Sequence, residues 1–212
     1  MATIESSSSI PPLGSPLPAL REAAAACHAC PLWRRATQTV FGEGPAHAPL
    51  FLIGEQPGDE EDRAGHPFVG PAGRLLSRAL EQAGIERAQT FVTNAVKHFK
   101  WSATPERGKR RIHEKPNAAE VRACNPWLLD EIAAVEPRVI VCLGATAAQA
   151  LLGRAFRVTE HRGQKVDWAD RPPIVPTVHP ASILRARDEE TRRSETLRFI
   201  ADLRAAAKLA GV

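Results

Sequence analysis

The chain has 212 residues, a formal net charge of +4 and four cysteines. That length supports one substantial core rather than two, and no apolar run approaches the roughly 18 residues of a membrane-spanning helix. The small positive charge permits an anionic partner without requiring one, so the distribution of charge carries more weight than its sum.

Residues 1–18 (MATIESSSSIPPLGSPLP) are rich in Ser and Pro, with Glu5 as the only charged side chain. Such a segment buries too little apolar surface to offset its ordering and is expected to be a disordered tail. Residues 19–212 are expected to form a single domain. The N-terminus lacks the basic-then-apolar pattern of a signal peptide, so a cytoplasmic location is expected. In that reducing compartment the cysteines are not expected to form structural disulfides.

Four short apolar runs predict buried parallel strands: LFLIG (50–54), TFVTNAV (90–96), RVIVCLG (138–144) and PIVPTVHP (173–180). Helical patterns alternate with them, which is the signature of an α/β sheet. In AGRLLSRALEQA (72–83), Leu75, Leu76, Ala79, Leu80 and Ala83 share a face and Gly84 supplies a stop. Asn117 followed by Glu120 predicts a capping box, after which Val121, Cys124, Leu128, Ile132 and Val135 keep an apolar face. Pro126 is expected to bend or restart that helix. A short helix follows the third strand in ATAAQALLG (145–153), and a last one places Leu197, Ile200, Leu203 and Ala207 at helical intervals.

Ligands of open parallel sheets bind beyond the carboxyl ends of the strands. That edge receives GEQPGDEED from the first strand, Asn94 from the second and His179-Pro180 from the fourth. The loop GEQPGDEEDRAGHPFVGPAG (54–73) is dense in glycine, which lets backbone approach a ligand closely. It carries Glu55, Gln56, Asp59 and Phe68. A second stretch, GKRRIHEKP (108–116), sets Lys109, Arg110, Arg111 and His113 in a segment with neither helical nor strand periodicity. A solvated basic loop is its ordinary reading; a loop that grips a polyanion is the sharper one. HFKW (98–101) interleaves basic and aromatic residues in a way suited to DNA, and His98 at its start lines the site at most.

Cys27-x-x-Cys30 has metal-binding spacing, and Cys124 and Cys142 complete a set of four thiols. From their chemistry alone, structural zinc and a [4Fe–4S] cluster both remain open.

The wording of these motifs resembles the uracil-DNA glycosylase superfamily, family 4 in particular, which carries GE-x-PG, PFVG-x-AG, an Asn after the next strand and a C-terminal HPS-like segment. The corresponding stretches are GEQPG (54–58), PFVGPAG (67–73), Asn94 and HPASILR (179–185), the last departing from the pattern at Ala181. GEQPG together with KRRIH further resembles the UdgX subgroup, which captures uracil-containing DNA covalently through the histidine of the KRRIH loop. The resemblance implies a three-layer α/β/α sandwich around a central, mainly parallel four-stranded sheet. It implies a [4Fe–4S] cluster on Cys27, Cys30, Cys124 and Cys142, with zinc as the alternative.

It also implies roles for the site residues. Gly54, Phe68 and Asn94 would hold uracil, with stacking from Phe68 and edge recognition by Asn94, whose amide both donates and accepts. His179 would stabilise charge developing on uracil O2. His113 would attack sugar C1′, oriented by Glu55, while Gln56 and Asp59 shape the pocket and position water. Lys109, Arg110, Arg111, Ser182 and Arg185 would contact the DNA backbone. The implied partner is uracil-containing DNA, preferably single-stranded, with no membrane contact and a monomeric protein. Two other functions remain: a multiple-turnover glycosylase using water, and a non-catalytic nucleic-acid-binding iron–sulfur protein.

Overall fold

The computed structural model describes residue 12 and residues 14–103 and 111–212. Most of the predicted tail, and Lys109 and Arg110 of the basic loop, lie outside the described residues. Helix α1 (Leu17–Ala25) begins two residues inside the segment expected to be tail, because Leu20 and Ala24 on its inner face are fully buried.

Five strands form the main sheet in the order β2-β1-β5-β7-β6: β1 (Leu50–Gly54), β2 (Thr90–Asn94), β5 (Val139–Leu143), β6 (Val166–Trp168) and β7 (Arg171–Thr177). The four predicted runs are β1, β2, β5 and β7, and all their mutual pairings are parallel. The fifth strand, β6, was not expected. It pairs antiparallel with β7 at the sheet edge, and three residues with Asp167 in the middle carry no apolar run to announce it. Two further three-residue strands, β3 (Trp101–Ala103) and β4 (Arg111–His113), form a separate antiparallel hairpin. The stretch that lacked periodicity therefore contributes a strand, too short for alternation to register.

Side chains alternate across a strand, and the core splits accordingly. Leu50, Leu52, Val139, Val141 and Leu143 pack on one face against α3 (Pro71–Ala83) and α8 (Glu189–Ala210). Phe51, Ile53, Ile140 and Cys142 pack on the other against α4 (Ala118–Val135) and α5 (Ala145–Leu152). The result is the three-layer α/β/α sandwich. A third cluster, from Leu20 and Ala24 of α1 to Cys124 and Trp127 of α4, lies beside this pair of cores.

The helix signals act as their chemistry requires. Asn117 Oδ1 accepts from the N–H groups of Ala119 and Glu120, both at 2.9 Å, and Glu120 Oε2 accepts from the Asn117 N–H at 2.7 Å. Helix α4 runs through Pro126 without a restart. In α8 Ile200, Leu203 and Ala207 are buried as expected, but Leu197 is 60% exposed and Phe199 fills the core in its place. Among the described residues no helix is long and apolar enough to cross a membrane.

Candidate active site and a cysteine-lined cavity

β1 and β2 end in register at Gly54 and Asn94. A Cβ on Gly54 would lie 2.3 Å from Asn94 Oδ1 and 2.7 Å from Phe68 Cζ, so only glycine lets the Asn94 amide and the Phe68 ring meet over the strand end. Phe68 itself sits at φ +58, a left-handed conformation unusual for a bulky residue. Gly73 makes that turn possible, since a Cβ there would overlap the Phe68 carbonyl at 1.7 Å. The buried Glu61 carboxylate accepts from the N–H groups of Gly58 (3.0 Å) and Gly70 (2.8 Å), bracketing the loop that presents Phe68.

His179 faces Phe68 from the end of β7, with ring centroids 6.2 Å apart and planes inclined by 28°. It is the N-cap of the short helix α7 (Pro180–Leu184), and its Nδ1 accepts from the Ala181 N–H at 3.1 Å. Burial, reinforced by the charge of Arg185, lowers its pKa to about 4. The neutral ring must then carry its proton on Nε2, which makes that atom a fixed donor.

His113 stands on β4 with its side chain about half exposed, and its Nε2 lies 3.7 Å from Glu55 Oε1. Burial lowers its pKa, Glu55 partly opposes this, and the charge of Arg185 pushes the same way as burial. The imidazole is thereby kept neutral with a lone pair. Glu55 is held in turn by the buried Thr146 hydroxyl at the start of α5, which donates to Oε2. Ser182 is exposed and donates its hydroxyl to the His179 carbonyl at 2.7 Å. Arg185 is exposed at the end of α7.

Three sequence expectations need correction. Gln56 does not face water: its Nε2 donates to the carbonyls of Lys100 (3.2 Å) and Glu114 (3.0 Å), and its Oε1 accepts from the Lys100 N–H (3.1 Å). It fastens both ends of the β3–β4 hairpin. Asp59, in α2 (Asp59–Ala64), has its carboxylate taken up by Arg63 and Arg111 instead of being held free for a water. Arg111 is not a free phosphate-binding cation. Its guanidinium, only 10% exposed, pairs with Asp59 and with fully buried Asp62 (2.5 Å), and lies against the rings of Phe99 and Trp101.

The cysteines also separate. Cys27, Cys30 and Cys124 line one cavity together with His98, Thr39, Lys97 and Trp127. Cys142 does not reach it. It is fully buried on β5 in the core between the sheet, α4 and α5, where burial raises its pKa and keeps an inert thiol. Three of the four expected thiols therefore share this cavity, and His98 is the further side chain of a metal-ligating type that lines it. Burial lowers the pKa of His98 to about 4, so its ring is neutral, the form in which imidazole binds metals.

The surroundings of the thiols bear on what they could hold. Cys27 Sγ accepts from Trp127 Nε1–H and Cys124 Sγ from the Lys97 N–H, both at 3.2 Å, as sulfurs of iron–sulfur sites accept from surrounding donors. Each iron of a cluster takes its own ligand, so a cluster would draw on donors spread around a cavity in this way.

A buried ion pair joins the two sites. Lys97 Nζ lies 2.6 Å from Glu131 Oε2 and donates to Thr93 Oγ1 and the Asn94 carbonyl, each at 2.7 Å. Glu131 also accepts from Thr93 Oγ1 and from the Gly42 N–H.

Compared with known proteins, residues 41–204 match the family model of the uracil DNA glycosylase superfamily. The chain belongs to that superfamily. It is 39% identical over 168 residues to a type-4 uracil-DNA glycosylase of Thermotoga maritima, covering 79% of this chain and 82% of that one. A type-4 uracil-DNA glycosylase of Pyrobaculum aerophilum is 37% identical over 166 residues, with 75% and 80% covered. A type-5 uracil-DNA glycosylase of the same organism is 31% identical over half of each chain.

Within this uracil DNA glycosylase fold, sequence reasoning missed Thr146, Asp62, the Lys97–Glu131 pair and the place of His98. Only His98 left a signal, as a metal-ligating residue type just beyond the β2 strand end.

Proposed function

We propose that this protein excises uracil from DNA, preferably single-stranded, and stays bonded through His113 to the sugar it leaves. The observation that carries this reading is the neutral His113 imidazole beside the Glu55 carboxylate, next to the Gly54–Asn94–Phe68 recess faced by His179. A base must leave the stack to enter such a recess. Phe68 would stack on it, and the Asn94 amide would read its polar edge.

In the reaction the N1–C1′ bond breaks and its electron pair leaves with uracil. Nε2–H of His179 stabilises the charge that develops on O2, a preorganised donor that needs no reorientation. C1′ then takes the lone pair of the His113 ring. The imidazolium so formed gives up its remaining N–H proton, with the Glu55 carboxylate beside it as acceptor. The product is a neutral alkylated imidazole with no leaving group better than itself, so each molecule acts once. Cys27, Cys30 and Cys124, with His98 as the fourth donor, would hold a [4Fe–4S] cluster. Its contribution would be to tie the segment after α1 to α4.

The test is incubation with a uracil-containing single-stranded oligonucleotide followed by denaturing electrophoresis. A one-to-one band that survives heat and SDS is expected. Free abasic strand in molar excess over protein would instead mean a multiple-turnover glycosylase, and unchanged DNA a binding protein.

A further inference from the structure

We propose that Trp33, Arg34 and Arg35, with Trp101, form the docking edge for the nucleotides that flank uracil on the same DNA strand. The inference rests on the function proposed above and extends it to a surface outside the pocket.

Arg111, one of the described cations of the basic loop, is neutralised by two carboxylates and has no charge to spare for phosphate. Arg185 is exposed on one side of His113, and a different segment brings further cations and rings to the hairpin that carries it. Trp101 is the register partner of His113 in the β3–β4 hairpin. Its Nε1–H donates to the Arg35 carbonyl at 2.8 Å, which fixes the 31–35 segment against the hairpin. The Arg35 guanidinium lies 4.5 Å from the Trp101 ring centroid. Arg34 lies 5.7 Å from the Trp33 ring, which stacks on His28 at 3.9 Å.

Arg34 and Arg35 are exposed and form no ion pair among the described residues. Trp33, at 36%, is the one aromatic among the exposed large hydrophobic side chains described. Guanidinium groups laid on aromatic faces are held in place before a ligand arrives, so less side-chain freedom is lost on binding. An aromatic ring with unpaired arginines is the combination that binds single strands: the ring stacks on bases and the cations follow phosphates. Its continuity with His113 through Trp101 and its positive charge both select the uracil-bearing strand as the occupant.

The experiment compares Arg35→Ala and Trp33→Ala with the unaltered protein on two substrates: a 20-nucleotide strand with central uracil and a trinucleotide with uracil in the middle. The expected result is about tenfold slower capture of the long strand, with trinucleotide capture unchanged. Losing one phosphate contact should also flatten the slope of log rate against log salt by about 0.7. Arg35→Lys should recover the slope and only part of the rate. Equal losses on both substrates would mean that the variant disturbs His113 through Trp101, and no loss on either would mean that the edge is idle. Each result overturns the proposal. If the unaltered protein captures neither substrate, covalent capture fails separately. Fluorescence anisotropy with the same strands and salt series then decides the docking edge, with the same expected change in slope.

Discussion

Arg111 lies 2.5 Å from the carboxylate of Asp62, whose side chain has no exposure to solvent. The pair joins β4, which carries His113, to α2, which follows the Glu55 loop. Thr37 completes it: its N–H and hydroxyl donate to Asp62 (2.9 and 2.6 Å), and its hydroxyl accepts from Arg111 (3.1 Å). A basic residue that sequence reasoning gave to DNA is thus an internal clamp.

Removing one partner of a buried pair leaves the other uncompensated, at a cost of about 3–5 kcal/mol. Arg111→Ala should fall near the lower end, since Thr37 still donates to Asp62. At this size about 3 kcal/mol lowers the melting temperature by roughly 6–12 °C. Capture should slow as well, because β4 loses its anchor. Thermal denaturation and capture kinetics check both, and a variant with unaltered stability would show that the clamp is not loaded.

The pH dependence of capture should report His113. Its pKa is lowered by burial, so the nucleophilic form persists below the ordinary pH 6.5 and the rate falls only at more acidic pH. His179 stays neutral down to about pH 4, which keeps its own titration away from that limb. Glu55 raises the His113 pKa, so Glu55→Gln should move the limb to still lower pH while reducing the plateau. A limb above pH 6.5 would contradict this assignment.

Thr146→Val removes the hydroxyl that holds Glu55 Oε2 while keeping nearly the same volume. Capture is expected to slow by about tenfold, in line with the loss of one hydrogen bond of about 1.4 kcal/mol to a charged group. Thr146→Ser should retain most of the rate. Rate constants for the two variants distinguish a positioning role from a packing role.

Gly54→Ala places a methyl group 2.3 Å from Asn94 Oδ1 and 2.7 Å from the Phe68 ring. Excision should be lost and the melting temperature should fall as well, because Asn94 is buried and Phe68 packs against the core. Abasic-product and thermal-denaturation measurements check the two halves of this statement.

For the cluster, iron and sulfide content should fall in Cys124→Ala and His98→Ala and stay unchanged in Cys142→Ala. Only the last of these residues lies outside the cavity. A loss of iron in Cys142→Ala would restore the four-thiol set expected from the sequence.

Much of the scaffold was legible because strands buried on both faces must be apolar at consecutive positions. LFLIG and VIVCL show this directly, and Asn117 with Glu120 announces a helix start through a local hydrogen-bond pattern. β6 and the hairpin were not legible, since three residues with a polar or charged member have no period. The face chosen by a cysteine was equally hidden. Alternation along β5 turns Cys142 with Ile140 towards α4 and α5, whereas Cys124 on α4 turns towards α1. Nor does a charged residue show its partner in sequence: Lys97 and Glu131, or Arg111 and Asp62, meet only through the tertiary fold. The motif residues Gly54, Glu55, Phe68, Asn94, His113 and His179 were found by their wording, and the structure brings them to one sheet edge.

The central claim is the bond between His113 and C1′, and peptide mass spectrometry of the denaturation-resistant adduct tests it most directly. The account predicts that the abasic-strand mass maps to the peptide containing His113, and that His113→Ser loses it. An adduct on any other residue, or one that persists in His113→Ser, would contradict it.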